Sequence, residues 1–281
     1  ISGVIFSTLT QEAIKPQALL NTLNQYNTIL VGETHNNPAH HQIEAWLLQQ
    51  LFSTEQPPAV VFEMLDSSQD KGLHQLRYTS KFPTENDIKD ILNWNEKSWP
   101  WERYKQQISI SVYRSPQTLS GNFTRAQVNS LLSGQIPADV NAELNSVNTI
   151  SNDVKAIHLD TIYEQHCRLA PKDSLTPFVT VQLARDAKMA KALDKGLTES
   201  GKAVLIAGAF HTDKTLGVPL HLDKKHSTAV IRMLSVQGLK PKDITYADIS
   251  SFEASADYLW VTTAMPPKDY CAELKKSFGK H

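Results

Sequence analysis

The sequence predicts an α/β fold: a mostly parallel central sheet flanked by helices, with a helical cap inserted into it. Two observations predict this. Short apolar, β-branched runs recur along the chain, and stretches of helical periodicity alternate with them. A third places the business end: two of the apolar runs finish in the same Gly-x-x-His signal.

In chain order, "QEAIKPQALLNTLNQ" (11–25) reads as a helix and "TILV" (28–31) as a buried strand. Asn37 then suits an N-cap and Pro38 the first helical turn, with Ile43, Trp46, Leu47 and Leu51 on one face. "AVVFE" (59–63) is the next strand. The span 64–175 is polar, helix-leaning and rich in Asn, Gln and Ser, with Trp94, Trp99, Trp101 and Tyr104 clustered within it. It reads as a helical insertion within one domain covering 1–281. Inside it, "ISISVY" (108–113) alternates like a weaker, edge-type strand. "TVQLARDAKMAKALDKGLTESGK" (180–202) is a strong helix ending near Gly201. "AVLIAG" (203–208), "AVIRML" (229–234) and "YLWVT" (258–262) complete the strands.

The 281 residues are 41% hydrophobic, enough for a large core, and the net charge is −1. No basic stripe stands out, so nucleic acid is not the expected partner. No apolar run approaches the roughly 20 residues of a membrane-spanning helix. The chain opens on Ile1 without an n-region and h-region, and the expectation is that a signal peptide or lipid anchor has been removed. Cys167 and Cys271 are the two cysteines, in no CxxC. Paired, they close a long loop, contribute about 4–5 kcal/mol in the chain-entropy model and favour an oxidising compartment. Unpaired, they are two unrelated buried thiols.

"ILVGETH" and "VLIAGAFH" each run from apolar strand to Gly-x-x-His, giving Gly32 with His35 and Gly208 with His211. Each glycine is expected to let the chain turn sharply out of the sheet. Ligands of open α/β sheets bind outside the carboxyl ends of the strands, where both imidazoles would stand. Glu63 and Glu33 bring carboxylates to the same rim. One Gly-x-x-His occurs by chance in many chains, and its bland reading is a histidine tying loop backbone together. Two copies with Glu63 favour Glu33, His35, Glu63 and His211 as acid–base residues or divalent-metal ligands. His40 leans toward the core and His41 toward water in this reading, and neither forms a His-Glu-x-x-His zinc helix. "GNFTR" (121–125) reads as another strand exit with Asn122 and Arg125 able to bind an anionic group, or equally as a turn followed by the N-capped helix "TRAQVNSLL". Gln182, Arg185, Asp186 and Met189 share a helix face. Arg185 and Asp186 are either a surface ion pair or a pair turned inward beneath the site. Tyr163 and His166 lie a turn apart, as packing residues or iron ligands. No GxGxxG, GxxxxGK[ST] or GxSxG occurs.

Several stretches together resemble the ChaN-type haem-binding lipoproteins of Gram-negative bacteria: "ILVGETHNNPAHHQ", "VVFEM", "W…WPWERY", "SGNFTR", "QHC", "VQLARDAKMA", "LIAGAFHTDKTLGVPLHL", "ADYLWVT" and "YCAELKK". They follow the family's order over nearly the whole chain. The Gly-x-x-His pair alone is similar to a wider group with TraB, Tiki and erythromycin esterase-like proteins. The resemblance implies a periplasm-facing, outer-membrane-anchored lipoprotein of haem and iron uptake. It also implies a homodimer holding two stacked haems, tyrosine-ligated, at its interface. Gly32, Glu33, His35, Asn36, Asn37, Glu63, Asn122, Arg125, Gln182, Arg185, Asp186, Met189, Gly208 and His211 match its motifs. Tyr163 and Tyr104 are the candidate axial ligands, with His166 as alternative ligand or propionate partner, and Asn122, Arg125 and Arg185 are haem-site candidates. An outer-membrane haem or iron transport system is the implied partner. The alternatives are a metal-dependent hydrolase built on Glu33, His35, Glu63 and His211, and a non-catalytic scaffold docking on a transporter.

Overall fold

The structure, a computed structural model, describes residues 2–79, 82–238, 240–266 and 269–278. Its elements run β1 (Val4–Ser7), β2 (Ala13–Ile14), α1 (Pro16–Leu23), β3 (Thr28–Glu33), α2 (Pro38–Leu51), β4 (Ala59–Asp66), α3 (Asp70–Arg77), α4 (Glu85–Ile91) and α5 (Trp101–Arg114). They continue through β5 (Thr118–Asn122), α6 (Arg125–Leu132), α7 (Asn141–Asn148), α8 (Asn152–Gln165), α9 (Thr176–Ser200), β6 (Ala203–Gly208), β7 (Thr228–Val236), β8 (Tyr258–Thr263) and α10 (Tyr270–Phe278).

The strands form one sheet in the order β2-β1-β8-β7-β3-β6-β4-β5. The pairs from β8 to β5 are all parallel, and β1 and β2 are added antiparallel at one edge. The parallel strands are apolar at successive positions because helices cover both faces. Ile29, Val31, Val60, Phe62, Val204 and Ile206 face a core shared with Leu47, Leu48 and Leu51 of α2 and Ile108 of α5. Leu30, Val61, Leu205 and Ala207 face the opposite core, under Met189, Leu193 and Leu197 of α9. A third cluster, with Leu131, Val147, Ile162 and Val179, joins α6, α7, α8 and the first half of α9.

The span 64–175 holds α3 to α8, and also β5, which pairs with β4 as an edge strand of the sheet. "ISISVY" is not a strand. It lies in α5, whose buried residues include Trp101, Tyr104, Gln107, Ile108 and Ser111 at helical spacing, with Ser109 beside them. The two-residue alternation is local, and the longer 3.6-residue period over 101–111 outweighs it. The helix expected over 11–25 is shorter, since β2 occupies Ala13–Ile14 and Pro16 opens α1 at its first turn.

Cys167 and Cys271 form a disulfide that ties the end of α8 to α10, across 104 residues of sequence. No helix among the described residues is long and apolar enough to cross a membrane.

Candidate functional site

The parallel register assembles the site. In the order β3-β6-β4, Glu33 pairs with Gly208 and Phe62 with Ile206, so Glu33, Gly208 and Glu63 arrive side by side at the carboxyl edge. The register between β4 and β5 shifts between Phe62 and Asp66, an irregularity of the kind that re-aims a side chain. Asn122, at the end of β5, donates from Nδ2 to the Glu63 carbonyl at 3.0 Å and holds that irregular stretch.

The two glycines serve close approach rather than a left-handed turn, since neither is among the positive-φ residues. A Cβ on Gly32 would collide with Thr212 Oγ1 and lie 2.9 Å from Ala209 Cα. A Cβ on Gly208 would lie 3.0 Å from His35 Nε2 and 3.5 Å from Glu63 Oε2. The expectation of a sharp turn is corrected accordingly: the β6 exit loop and the His35 ring occupy the space a side chain would fill.

His35 and His211 meet at one carboxylate. Glu63 Oε1 is 3.6 Å from His211 Nε2 and 4.0 Å from His35 Nε2. Glu63 Oε2 accepts from the Gly208 N–H at 2.7 Å. Each imidazole is backed on its other nitrogen by a second acid, His211 Nδ1 by Asp186 Oδ1 at 2.6 Å and His35 Nδ1 by Glu33 Oε1 at 2.8 Å. A carboxylate on Nδ1 fixes ring orientation and raises basicity. Asp186 therefore turns inward beneath the site, as the sharper reading of the helix face has it. Arg185 also turns in, donating to Gln182 Oε1 at 2.9 Å while its Nε stays buried without a partner.

Glu33 anchors a further buried layer. Tyr104 Oη donates to Glu33 Oε1 at 3.0 Å, and His41 Nε2 lies 2.8 Å from Glu33 Oε2. His41 thus faces the site and not water, because the buried carboxylate attracts it. His40 is buried as expected, accepting from the Thr34 N–H at 2.9 Å and bonding Thr262 Oγ1 at 3.0 Å. Glu44, absent from the sequence-derived set, is buried beside Glu33 and accepts from Gln107 Nε2 at 2.9 Å. Its signal is faint, a polar pair on otherwise apolar faces of α2 and α5.

These contacts set the charges. Burial works to raise the Glu33 carboxyl, but hydrogen bonds from His35 and His41 outweigh it and hold it at about 2. Burial works to lower His35, yet its bond to Glu33 and the charge of Glu63 raise it to about 9. Glu63 is lowered against its own burial by His211, His35 and the Gly208 N–H. His211 is raised against burial by Asp186 and Glu63. Burial and the neighbouring Glu33 charge push Glu44 well up. At neutral pH His35 is an imidazolium beside an ionised Glu63, and Asp186 and Glu63 bias His211 toward its protonated form.

A cleft of about 600 Å³ opens onto this cluster, lined by Glu63, Trp99, Asn122, Arg125 and Arg185 among others. Trp99 packs edge-on against the His35 ring at 5.0 Å. An adjoining cavity of about 280 Å³ shares Val128 and Arg185 and is lined by Leu132, Phe178 and His166. Tyr163 and His166 sit at the end of α8, away from the strand ends. Tyr163 packs half-buried against the third core cluster. His166 Nδ1 bonds the Ile162 carbonyl at 2.8 Å, which leaves Nε2 for another partner. Tyr104 is fully buried, and burial together with Glu33 raises its phenol far above the ordinary value. An axial phenolate needs the opposite, so the structure sets Tyr104 in the carboxylate network rather than at a ligand position.

The expected divalent-metal role of Glu33, His35, Glu63 and His211 meets a geometric obstacle. Among the described residues no three of His, Cys, Asp and Glu are grouped to hold a metal ion. The carboxylate oxygens and ring nitrogens that would donate to a cation face one another instead, as the pairs above describe.

Fold and site together define an α/β protein with a buried cluster of acids and imidazoles at the carboxyl edge of a parallel sheet. The sequence matches the family described as "Haem-binding uptake, Tiki superfamily, ChaN" over residues 19–222, and the chain belongs to that family. Among solved structures it is similar to ChaN of Campylobacter jejuni, whose structure is described as showing cofacial haem binding. The identity is 26%, the TM-score 0.73, and the match covers 92% of this chain and 96% of that one. Looser similarities extend to the type III effector HopBA1 (12% identity, TM-score 0.44, 88% of this chain and 92% of that one). Another joins it to the erythromycin esterase EreC (12%, 0.43, 97% and 86%). No curated protein matches the sequence.

Proposed function

We propose that this chain binds haem and serves haem or iron uptake. Membership of the family over residues 19–222 is the observation that carries the reading. The residues around α6 suit the group. Haem needs apolar walls and an axial donor, and Val128, Leu132 and Phe178 supply the walls beside the His166 ring. Arg125 and Arg185 line the adjoining cleft, where guanidinium groups suit propionates. His166 and Tyr163 are the axial candidates. Bound haem would supply the iron that uptake moves.

By extension from the cofacial haem binding of the Campylobacter protein, two haems would stack face to face, and we propose that two copies of this chain hold them between them. We further propose a periplasm-facing, lipid-anchored setting and an outer-membrane haem transport system as partner. The disulfide supports an oxidising compartment.

Titration with hemin, followed at the Soret band, tests the reading. A saturable band is expected. His166→Ala or Tyr163→Phe should shift its maximum and weaken binding by about tenfold or more. Sedimentation with and without hemin should show haem-linked dimerisation. A protein that takes up no hemin defeats the function. An unchanged band in both variants defeats the ligands alone.

A further inference from the structure

One set of residues is not required to bind haem. An axial donor and apolar walls do not need two imidazoles converging on a buried glutamate, each backed by its own acid. The His35 side chain is 41% exposed beside Trp99, which lines the cleft with Glu63, whereas the Glu63 and His211 side chains are each 6% exposed. The 4.0 Å between His35 Nε2 and Glu63 Oε1 exceeds a hydrogen bond, and a water set to one side reaches both atoms. The buried Arg185 Nε has no partner, although Arg185 lines the same cleft with Arg125. An unsatisfied buried donor there suits an anionic group brought by a ligand.

We propose that the strand-end cluster is a general acid–base site that hydrolyses carboxylic esters bearing a second, anionic group. Arg125 and Arg185 hold the anionic group in the cleft. Water, positioned by Glu63, adds through its oxygen to the ester carbonyl carbon, and its proton passes to Glu63 Oε1. The carbon–oxygen bond to the alcohol then breaks, its electron pair goes to the departing oxygen, and that oxygen takes the proton from His35 Nε2. Glu63 returns its proton to His35, so ester and water become acid and alcohol with nothing else consumed. His211 fixes the Glu63 carboxylate. Asp186 and Glu33 are positioning residues that keep both rings protonated toward it. Ionised Glu63 beside protonated His35 is the charge state the contacts favour at neutral pH.

The proposal does not depend on haem, and its test separates the two. Monoethyl succinate, 4-nitrophenyl succinate and the uncharged ethyl butyrate serve as probes, with the full chain. The protein should hydrolyse monoethyl succinate, and Glu63→Gln should lower kcat by about 100-fold or more. His35→Asn should cost about as much on the ethyl ester but under about tenfold on the nitrophenyl ester, because nitrophenolate leaves without a proton. Arg125→Ala should raise KM for the succinate esters by about tenfold and narrow their advantage over ethyl butyrate by as much. Circular dichroism and thermal melting of each variant check folding. Hydrolysis of monoethyl succinate no faster than by a folded Glu63→Gln protein overturns the proposal and leaves haem binding standing. Equal slowing of both succinate esters in His35→Asn overturns the acid role. Because His35 stands half-exposed at the rim, that variant tests the site even should Glu63→Gln not fold.

Discussion

Gly208 and Gly32 close the same kind of gap against neighbours of different give. Alanine at 208 meets the imidazole of His35, a side chain half-open to solvent that can swing away. Alanine at 32 meets backbone, Ala209 Cα, which cannot. Gly208→Ala should therefore cost under about 1 kcal/mol in urea unfolding, and Gly32→Ala about 2–3 kcal/mol. By nitrogen-15 NMR, the displaced His35 ring in Gly208→Ala should titrate well below about 9. Stability should also follow these rings. His35 holds its proton up to about 9 in the fold against 6.5 unfolded, so its contribution is complete below pH 6.5 and is lost as pH rises toward 9. Glu33, held at about 2, contributes above pH 4.5 and fades as pH falls toward 2. Burial lowers His40 and His221 to about 4, so each costs stability as pH falls from 6.5. Unfolding free energy should peak near pH 6.5, with the alkaline slope flattened in His35→Asn. Arg103, Glu33 and Glu63 are the charges facing that ring, and its exposure screens the amplitude. A peak displaced to pH 8 or above would contradict this assignment. The Gly-x-x-His pair made half of this site legible because each histidine stands a fixed step past an apolar strand. Glu44 and His41 stayed hidden, since no local pattern tells a buried polar side chain from an exposed one before the partner helix is placed.

Helix α9 brings Asp186 and Arg185 to the site and is the element the sequence announces best. Its 25 residues present Asp186 and Arg185 to the rim, Met189, Leu193 and Leu197 to the sheet, and end at Gly201 in the left-handed region at φ 70°. Capping there by glycine removes a Cβ penalty, so Gly201→Ala should cost about 1 kcal/mol. Thermal melting should fall by a few degrees with the Asp186–His211 bond intact, which the His211 imidazole resonances would report. Helix α5 shows where local reading fails. Ile-Ser-Ile-Ser alternates like a strand, yet Trp101, Tyr104, Gln107 and Ile108 bury one helical face against α2. The tertiary partner decided between two periods that six residues could not separate. The strands β1 and β2 escape the sequence reading for a related reason. They lie at or near the sheet's edges, are short, and carry weaker apolar runs than the centre.

At the scale of the molecule, parallel order does the work of bringing distant residues together. Residues 33, 63 and 208 become neighbours only because β6 inserts between β3 and β4, a fact of topology that no single segment records. The rim itself was foreseeable from the rule that open parallel sheets gather ligands at strand carboxyl ends. The strand order was not, because nothing in a segment's own pattern names its neighbour. The disulfide is the other long-range constraint, and pairing rather than two free thiols is what the structure shows. A bond across 104 residues of sequence restrains the unfolded chain strongly, by about 4–5 kcal/mol in the chain-entropy model. It joins α10 to α8, beyond the strand-end site. The double variant Cys167→Ser/Cys271→Ser should therefore lose about that much in urea unfolding yet keep its ester hydrolysis at 25 °C. Reduction of the wild-type protein should reproduce the loss. A double variant as stable as the oxidised protein would show that the restraint is offset in the folded state.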